Sequence, residues 1–113
     1  MFSVVIDTNV LVSALIIPGS VPEQVLSMVK NRLLPTRYNT AILAEYWSVL
    51  SRPKFNFRGE DIQRAVNGIF KAGICVEVIS SSFPLPDEDD RKFYDVAKIT
   101  DSMLITGNMK HFP

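Results

Sequence analysis

Four polar residues stand where their side chains could act together on a substrate: the carboxylates Asp7, Glu45 and Asp90, and the amide Asn108. Asp7 directly follows the apolar run 2–6. Runs rich in Val and Ile that end at a polar break indicate central strands of a parallel sheet, and open α/β sheets bind ligands outside the carboxyl ends of such strands. Asp7 is therefore expected at the sheet edge where chemistry takes place.

The other three residues are expected to approach Asp7 from different elements. Asn108 follows the last predicted strand, so it would face the same edge of the sheet. Glu45 lies on the border of the apolar stripe of its predicted helix, where a charge without a partner is costly. Asp90 lies three residues before Phe93, near the buried face in the first turn of a later helix.

Three carboxylates in one place need a cation. Drawn together, they repel by several kcal/mol at an effective dielectric constant of about 20 unless a positive charge neutralises them. Hard oxygen ligands without a nearby Cys or His select Mg²⁺ or Mn²⁺. Such an ion can activate and orient a water and neutralise the charge that develops in phosphodiester hydrolysis, without a covalent nucleophile. The pattern therefore predicts metal-dependent phosphodiester chemistry, with Asn108 as a fourth side chain that lines the site.

The three carboxylates also have purely structural interpretations. Asp7 could only cap the helix that follows it, a contribution of about 1 kcal/mol. Glu45 could form a partly buried ion pair with Arg52 or Lys54. Asp90 could serve only to complement the macrodipole of its helix, which is worth about 0.3–1 kcal/mol.

Asn108 and His111 are each open to a functional and a structural interpretation, whereas Cys75 is expected to be structural. Asn108, in the pair 107–108, could be an ordinary turn residue. His111, the only histidine, could act as a general acid or contact phosphate, or it could be a solvated turn residue. Cys75, the only cysteine, excludes an intramolecular disulfide framework, and its apolar neighbours predict a buried, unreactive strand position.

Basic residues could hold the phosphates of a single-stranded nucleic acid. Arg52, Lys54 and Arg58 alternate with Phe55 and Phe57, and basic groups with aromatic rings can combine phosphate pairing with base stacking. The alternative is that the cations are solvated surface and the two rings are core. A second basic group lies near the proposed site and comprises Arg91, Lys92, Lys110 and His111.

Strands alternate with helices along the chain, which predicts an α/β fold with a parallel sheet and right-handed crossovers. Apolar residues at helical spacing, with Pro and Gly at the ends, mark the helices. The predicted helices are 9–17, one beginning at Pro22, 39–51, 61–71 and 89–98; the predicted strands are 2–6, a weak one at 33–34, 74–79 and 102–106.

The composition limits the architecture and the partners. The 113 residues suffice for a single domain over 1–113, and the equal numbers of basic and acidic residues argue against a histone-like or strongly membrane-seeking protein. No signal-peptide pattern and no uninterrupted apolar stretch of ~18 residues is present, so the cytoplasm is the expected compartment. The sequence stops at Pro113, where such a domain usually continues, so either a missing C-terminal edge strand or a minimal edge is expected.

Four segments in a fixed order carry a family resemblance. They are VIDTNVLVSAL at 5–15, ILAEYWSVLSRPKF at 42–55, DEDDRKF at 87–93 and LITGNMKHF at 104–112. Together they resemble the PIN-domain nucleases, and within them the toxin-like proteins related to the VapC toxins of toxin–antitoxin systems. The resemblance implies a metal-dependent endoribonuclease built as a three-layer α/β/α sandwich with a central parallel sheet. It also implies RNA as substrate, a homodimer and a cognate antitoxin as partner.

The same resemblance assigns roles to individual residues. It implies Asp7, Glu45 and Asp90 as the ligands of Mg²⁺ or Mn²⁺. Asp90 is favoured over Asp89 because the family places its aspartate seven residues before a small helix residue, here Ala97. Three supporting residues are implied as well: Thr8 and Asn9 beside the first carboxylate, and Thr106 lining the site.

Asn108 departs from the family pattern, because many members carry an aspartate there. A neutral amide can still ligate through its oxygen but supplies no charge, which puts a second metal ion in doubt. This departure keeps a second interpretation open, a catalytically impaired PIN-like module that binds RNA or a partner protein. A third interpretation, an aspartyl phosphotransferase or receiver domain, needs a second aspartate where the chain has Asn9, or a lysine that Lys110 matches only loosely.

Overall fold

The computed structural model describes residues 2–77 and 90–107. In this part of the chain four short strands alternate with five helices and one 3₁₀ turn. The elements in chain order are β1 (Val4–Ile6), α1 (Thr8–Ile16), α2 (Val21–Lys30), β2 (Arg37–Tyr38), α3 (Thr40–Leu50), the 3₁₀ turn (Pro53–Phe55), α4 (Gly59–Ala72), β3 (Ile74–Cys75), α5 (Arg91–Ile99) and β4 (Met103–Ile105).

The strands pair in parallel, as the alternating pattern predicts. β1 pairs with β4, with Val4 opposite Met103, and β2 pairs with β3. A parallel bridge between Val4 and Thr36 joins the two pairs, which gives the strand order β4–β1–β2–β3. β1 is therefore an interior strand, and its carboxyl end lies beside that of β4.

Both faces of β1 are covered. Its residues Val4, Val5 and Ile6 are all essentially inaccessible to solvent, although successive side chains of a strand point to opposite faces. α5 packs against β1, β2 and β4, while α1 contacts α2 and α3, and α4 contacts the same two helices. The predicted α/β fold with helices around a parallel sheet is thus confirmed.

Helix boundaries follow local capping rules. The sequence leaves Asn39 or Thr40 as the cap of α3, and in the structure the cap is Asn39, whose side chain accepts a hydrogen bond from the Ile42 amide at 2.8 Å. Ser20 caps α2 in the same way, with Pro22 in the first turn. Gly73 ends α4 in an extended conformation that any residue can adopt. A Cβ there would meet Thr36 Cγ2 at 2.6 Å, so Gly73 is required by space.

Two sequence predictions about strands are wrong. The weak strand at Leu33–Leu34 does not form, because the amides of both residues bond to the Met28 carbonyl and close the end of α2. β2 lies further along, at Arg37–Tyr38. Cys75 is in a strand but is exposed, because β3 lies at the edge of the described sheet. The rest of the predicted strand 74–79 beyond residue 77 lies outside the described residues.

Across residues 2–77 and 90–107, no single helix is long and apolar enough to cross a membrane. The consecutive helices α1 and α2 meet the length and composition criteria only when taken together, across a bend of 111°. Residues 108–113, which bear on the expectation about the C-terminal edge, lie outside the described part of the chain.

Candidate active site

Asp7 lies where β1 ends and α1 begins, at the edge shared with β4. Its backbone amide bonds to the Ile105 carbonyl at 2.9 Å, which continues the sheet ladder into the site. The Thr106 hydroxyl donates to Asp7 Oδ2 at 2.5 Å. Although Asp7 occupies the N-cap position of α1, its side chain makes no capping hydrogen bond. Helix capping therefore does not explain why an aspartate stands at position 7.

Glu45 reaches the same site from the middle of α3. The Thr8 hydroxyl donates to Glu45 Oε2 at 2.5 Å, so the residue next to Asp7 connects the two carboxylates. The other oxygen, Oε1, accepts from Lys92 Nζ at 2.8 Å. The expectation that Glu45 pairs with Arg52 or Lys54 is wrong, because the cation comes from α5 rather than from the segment after α3.

Tyr46 fixes α3 against the end of β1. Its hydroxyl donates to the Ile6 carbonyl at 2.5 Å, and the whole side chain is buried. Burial raises the pKa of Tyr46 well above its usual value, and the charges of Asp7 and Glu45 raise it further. The phenol is therefore a neutral hydrogen-bond donor at all ordinary pH values. Sequence reasoning treated Tyr46 only as part of an apolar stripe.

Asp7 is held in an environment that disfavours its charge. Burial raises its pKa, and the negative charge of Glu45 acts in the same direction. The hydrogen bond from Thr106 and the nearby amides of Thr8 and Asn9 oppose this effect, but the net pKa shift is upward. Two carboxylates close together at a sheet edge, one of them in a buried setting that disfavours its charge, form a site that attracts a cation.

Asp90 directly precedes α5, and its Oδ2 atom is buried. However, among residues 2–77 and 90–107, no three Asp, Glu, His or Cys side chains are close enough together to hold a metal ion. The structure therefore brings Asp7 and Glu45 together with Thr8 and Thr106, but it does not gather Asp90 into a three-carboxylate cluster. Asn108, Asp89, Lys110 and His111 lie outside the described residues.

The comparison with known families is decisive for the fold class. Residues 3–110 match the PIN domain family. The chain belongs to the PIN domain family. It is also 30% identical over 108 residues to the uncharacterized protein MJ1680 of Methanocaldococcus jannaschii, covering 93% of this chain and 70% of that protein. No solved structure matches the chain significantly.

Membership gives the site a chemical context. PIN domains are generally nucleases that act with divalent metal ions, so this chain belongs to a class of hydrolases that bind nucleic acid. The match extends across both ends of the candidate site, from β1 through Thr106.

The donor chemistry of this PIN domain fits a divalent cation. Asp7 and Glu45 supply hard oxygen atoms. A cation would offset the cost of burying the Asp7 charge and its repulsion from Glu45, the two effects that raise the pKa of Asp7. Thr8 and Thr106 orient one oxygen of each carboxylate, which is the role of outer-shell groups around a metal. The cation that contacts Glu45 in the structure is the Lys92 ammonium.

A cavity of about 470 Å³ lies at the end of β4. Asn9, Ile105, Thr106 and Gly107 line it together with residues of α1 and α2. Two larger cavities of about 600 Å³ lie along α4, and none of the three is lined by Asp7 or Glu45. The charged groups therefore locate the site of this PIN domain better than cavity size does.

The predicted RNA-contacting residues fall into two groups. Arg52 and Lys54 are exposed after α3, and Lys54 Nζ lies 5.1 Å from the centre of the Phe55 ring. Phe55 stacks on Phe57 with ring centres 5.3 Å apart, and Phe57 also packs against the core. The exposed cations and the packing of Phe57 against the core agree with the structural interpretation, and the contact of this segment with nucleic acid stays a prediction.

In the second group, Arg91 is half-buried at the start of α5, and Lys92 forms the ion pair with Glu45. Lys92 therefore belongs to the carboxylate site rather than to a free basic surface. Sequence reasoning also passed over Asp95, which is buried in α5 despite its charge. Its only sequence signal is its position between the buried residues Phe93 and Ala97.

Proposed function

We propose that this PIN domain is a metal-dependent endoribonuclease that cleaves RNA by phosphodiester hydrolysis. The observation that supports this most strongly is the pair of carboxylates at the end of β1, each oriented by a threonine hydroxyl: Asp7 by Thr106 and Glu45 by Thr8. In its family context, such a pair is suited to hold a cation against a phosphate.

In the proposed mechanism, Asp7 and Glu45 would hold Mg²⁺ or Mn²⁺, and Asp90, which the structure does not gather with them, would join them when the ion binds. Asn108 would be a neutral fourth member of the site. When bound, such an ion would supply a polarised water and neutralise charge on the phosphate. Thr106 and Thr8 keep the carboxylates in fixed orientations, which lowers the reorganisation needed during hydrolysis. The Tyr46 hydroxyl, which donates to the Ile6 carbonyl, holds α3 and hence Glu45 against the end of β1.

The RNA is proposed to approach over α5 and the segment after α3. Arg91 and Lys92 are at the start of α5, where the positive end of the helix dipole also favours phosphate. Arg52 and Lys54 provide exposed cations next to the Phe55–Phe57 stack. Phosphate pairing and base stacking together can hold a single strand without reading its sequence.

We further propose that the protein acts as the toxin of a toxin–antitoxin pair, as a homodimer in the cytoplasm, over a single domain spanning 1–113. This part of the proposal rests on the resemblance of four segments to VapC-related toxins. The cytoplasm is proposed because an RNA substrate would be found there. Restraint by an antitoxin follows from the hazard of an active ribonuclease in a cell. The antitoxin and the RNA target have to be found by experiment.

A second candidate function is a catalytically impaired PIN-like module that binds RNA or a partner protein. Two observations favour it: a lysine ammonium already neutralises Glu45, and Asn108 replaces a charge. Such a module would keep the fold and the basic surface but would tolerate Asp7→Asn without loss of function.

The deciding experiment is Mn²⁺ binding by calorimetry, with RNA cleavage followed in the same samples. Wild type should bind Mn²⁺ and cleave RNA, Asp7→Asn should lose both, and EDTA should stop wild-type cleavage. Asp61→Asn is the matched control, because Asp61 pairs with Arg64 on α4 and is outside the proposed site. A folded wild type that binds no Mn²⁺ would leave the impaired module as the better account.

A further inference from the structure

Lys92 is a cation that the chain itself brings to the carboxylate site. Its ammonium lies 2.8 Å from Glu45 Oε1, and 25% of the Lys92 side chain and 22% of the Glu45 side chain are exposed. The remaining oxygen of Glu45 accepts the Thr8 hydroxyl. Both Glu45 oxygens are therefore engaged within the protein, and the charge of Glu45 is compensated without any metal ion.

Core packing next to the ion pair holds it in place. Tyr46 and Phe93, the residues directly after Glu45 and Lys92, are fully buried and lie with ring centres 6.3 Å apart. Lys92 Nζ is also 5.7 Å from the centre of the Phe93 ring. The contact between α3 and α5 therefore sets the distance between Glu45 and Lys92, so their pairing is not a chance meeting of two flexible surface side chains.

A divalent cation on Glu45 would have to compete with this ammonium. Two positive charges about 4 Å apart repel by roughly 4 kcal/mol at an effective dielectric constant near 20, before relaxation and screening. The lysine can relieve this repulsion only by leaving Glu45. Its long, flexible side chain allows that movement, whereas the buried rings beside it remain in place.

We propose that Lys92 is a built-in counter-ion of Glu45 that a divalent metal ion must displace, so that Lys92 sets the metal affinity of the site. Displacement releases the ammonium at the start of α5, where it can pair with a phosphate of the substrate. Lys92 is thus a positioning residue that exchanges one anionic partner for another. The inference rests on the proposed metal-dependent function, but its test does not depend on catalysis.

The first test is calorimetric titration of Mn²⁺ into wild type, Lys92→Met and Lys92→Arg. Lys92→Met should bind Mn²⁺ roughly fivefold to tenfold more tightly, because the competing charge is gone. Lys92→Arg should stay close to wild type. Lys98→Met is the matched control, since it removes the same charge from an exposed position of α5 and should leave the affinity unchanged. Equal or weaker binding by Lys92→Met would overturn the proposal.

The second test uses the wild-type protein and so does not require any variant to fold. Acetylation of individual lysines by an amine-reactive ester is followed by mass spectrometry with and without Mn²⁺. Mn²⁺ should accelerate the modification of Lys92 several-fold, because the displaced ammonium is no longer masked by Glu45, and should leave Lys98 unchanged. An unaltered Lys92 rate at saturating Mn²⁺ would contradict displacement.

The two proposals fail in different ways. Wild-type Mn²⁺ binding and RNA cleavage, with unchanged Mn²⁺ affinity in Lys92→Met, would overturn the role of Lys92 and leave the ribonuclease intact. Tighter Mn²⁺ binding by Lys92→Met without cleavage by any form would support the role of Lys92 and overturn the ribonuclease. Absence of Mn²⁺ binding in both forms would overturn both.

Discussion

Thr106 and Asp7 are 99 residues apart in the sequence, yet the Thr106 hydroxyl donates a 2.5 Å hydrogen bond to Asp7 Oδ2. The bond connects the residues that follow β4 and β1, two strands paired in parallel. Thr106→Val should keep the fold but raise the pKa of Asp7 further and weaken Mn²⁺ binding about tenfold, a typical loss for an outer-shell partner. Calorimetry measures the change, and Thr106→Ser, which retains the hydroxyl, should restore the affinity.

Asp7→Asn should stabilise the metal-free protein at neutral pH. Because the folded-state pKa of Asp7 is raised, the folded protein binds a proton more readily than the unfolded chain, so stability falls as pH rises from 3.8 through the folded-state pKa. Removing the charge abolishes that loss. Thermal melts in EDTA should show a higher melting temperature for Asp7→Asn at pH 7. The gain should disappear below about pH 3.8, and a gain that persists there would contradict the assignment.

Tyr46→Phe should destabilise the protein by about 1–3 kcal/mol, because the Ile6 carbonyl would lose its phenol partner in a buried position. Urea denaturation measures the change in the free energy of unfolding. Tyr94→Phe is the control: Tyr94 is half-buried on α5, and its hydroxyl accepts a long, exposed hydrogen bond from Lys98 Nζ at 3.5 Å, so removing it should change stability by less than about 0.5 kcal/mol. Similar effects of the two substitutions would argue against a specific role for the Tyr46 hydroxyl.

Gly73→Ala should cost about 1–3 kcal/mol, the usual penalty of overpacking. The added methyl group would meet Thr36 Cγ2 at 2.6 Å, the Ile69 carbonyl oxygen at 2.9 Å and Tyr38 Cε1 at 3.0 Å. At Gly59, the first residue of α4, nothing lies within 4 Å of such a methyl group. Gly59→Ala should therefore be neutral or slightly stabilising in the same denaturation assay, and the reverse order would show that the α4–β3 junction is looser than described.

Neutralising Arg52 and Lys54 to Gln should weaken RNA binding and reduce its salt dependence. Each lost phosphate contact on a single strand lowers the slope of log K against log salt by about 0.7. Fluorescence anisotropy with a labelled RNA and the Asp7→Asn protein measures binding without cleavage. Arg64→Gln, which removes an exposed charge from α4, should leave the slope unchanged. An unchanged slope in the double variant would assign Arg52 and Lys54 to ordinary solvated surface.

Local sequence signals predicted most of the fold. The helical periodicity of α3 and α4 depends on neighbouring residues, and both predictions are confirmed. Of the two candidate caps of α3, Asn39 and Thr40, the structure has Asn39. The weak strand at Leu33–Leu34 was wrong because an apolar pair before a proline fits either a strand or the end of a helix. Whether the pair forms a strand or ends a helix is decided by where β2 pairs with the rest of the sheet, and that depends on residues distant in the sequence.

The candidate site was predictable in its residue types but not in its pairings. Asp7 at the end of β1 and Glu45 on the border of α3 both follow from periodicity, and they lie at one site. The partner of Glu45 could not be predicted, because Lys92 reaches it only through the packing of α5 against α3. The orienting role of Tyr46 was hidden for the same reason, since one residue both fills the core and bonds to a distant carbonyl.

The strand order has a consequence for synthesis of the protein on the ribosome. β1 is made first and β4 roughly a hundred residues later, yet the two are neighbours in the sheet and Thr106 completes the surroundings of Asp7. A nascent chain that still lacks β4 cannot assemble this site, however well its first helices have folded. Activity of the proposed kind therefore cannot begin until translation has passed Thr106. The N-terminal helices can form earlier in synthesis than the complete site.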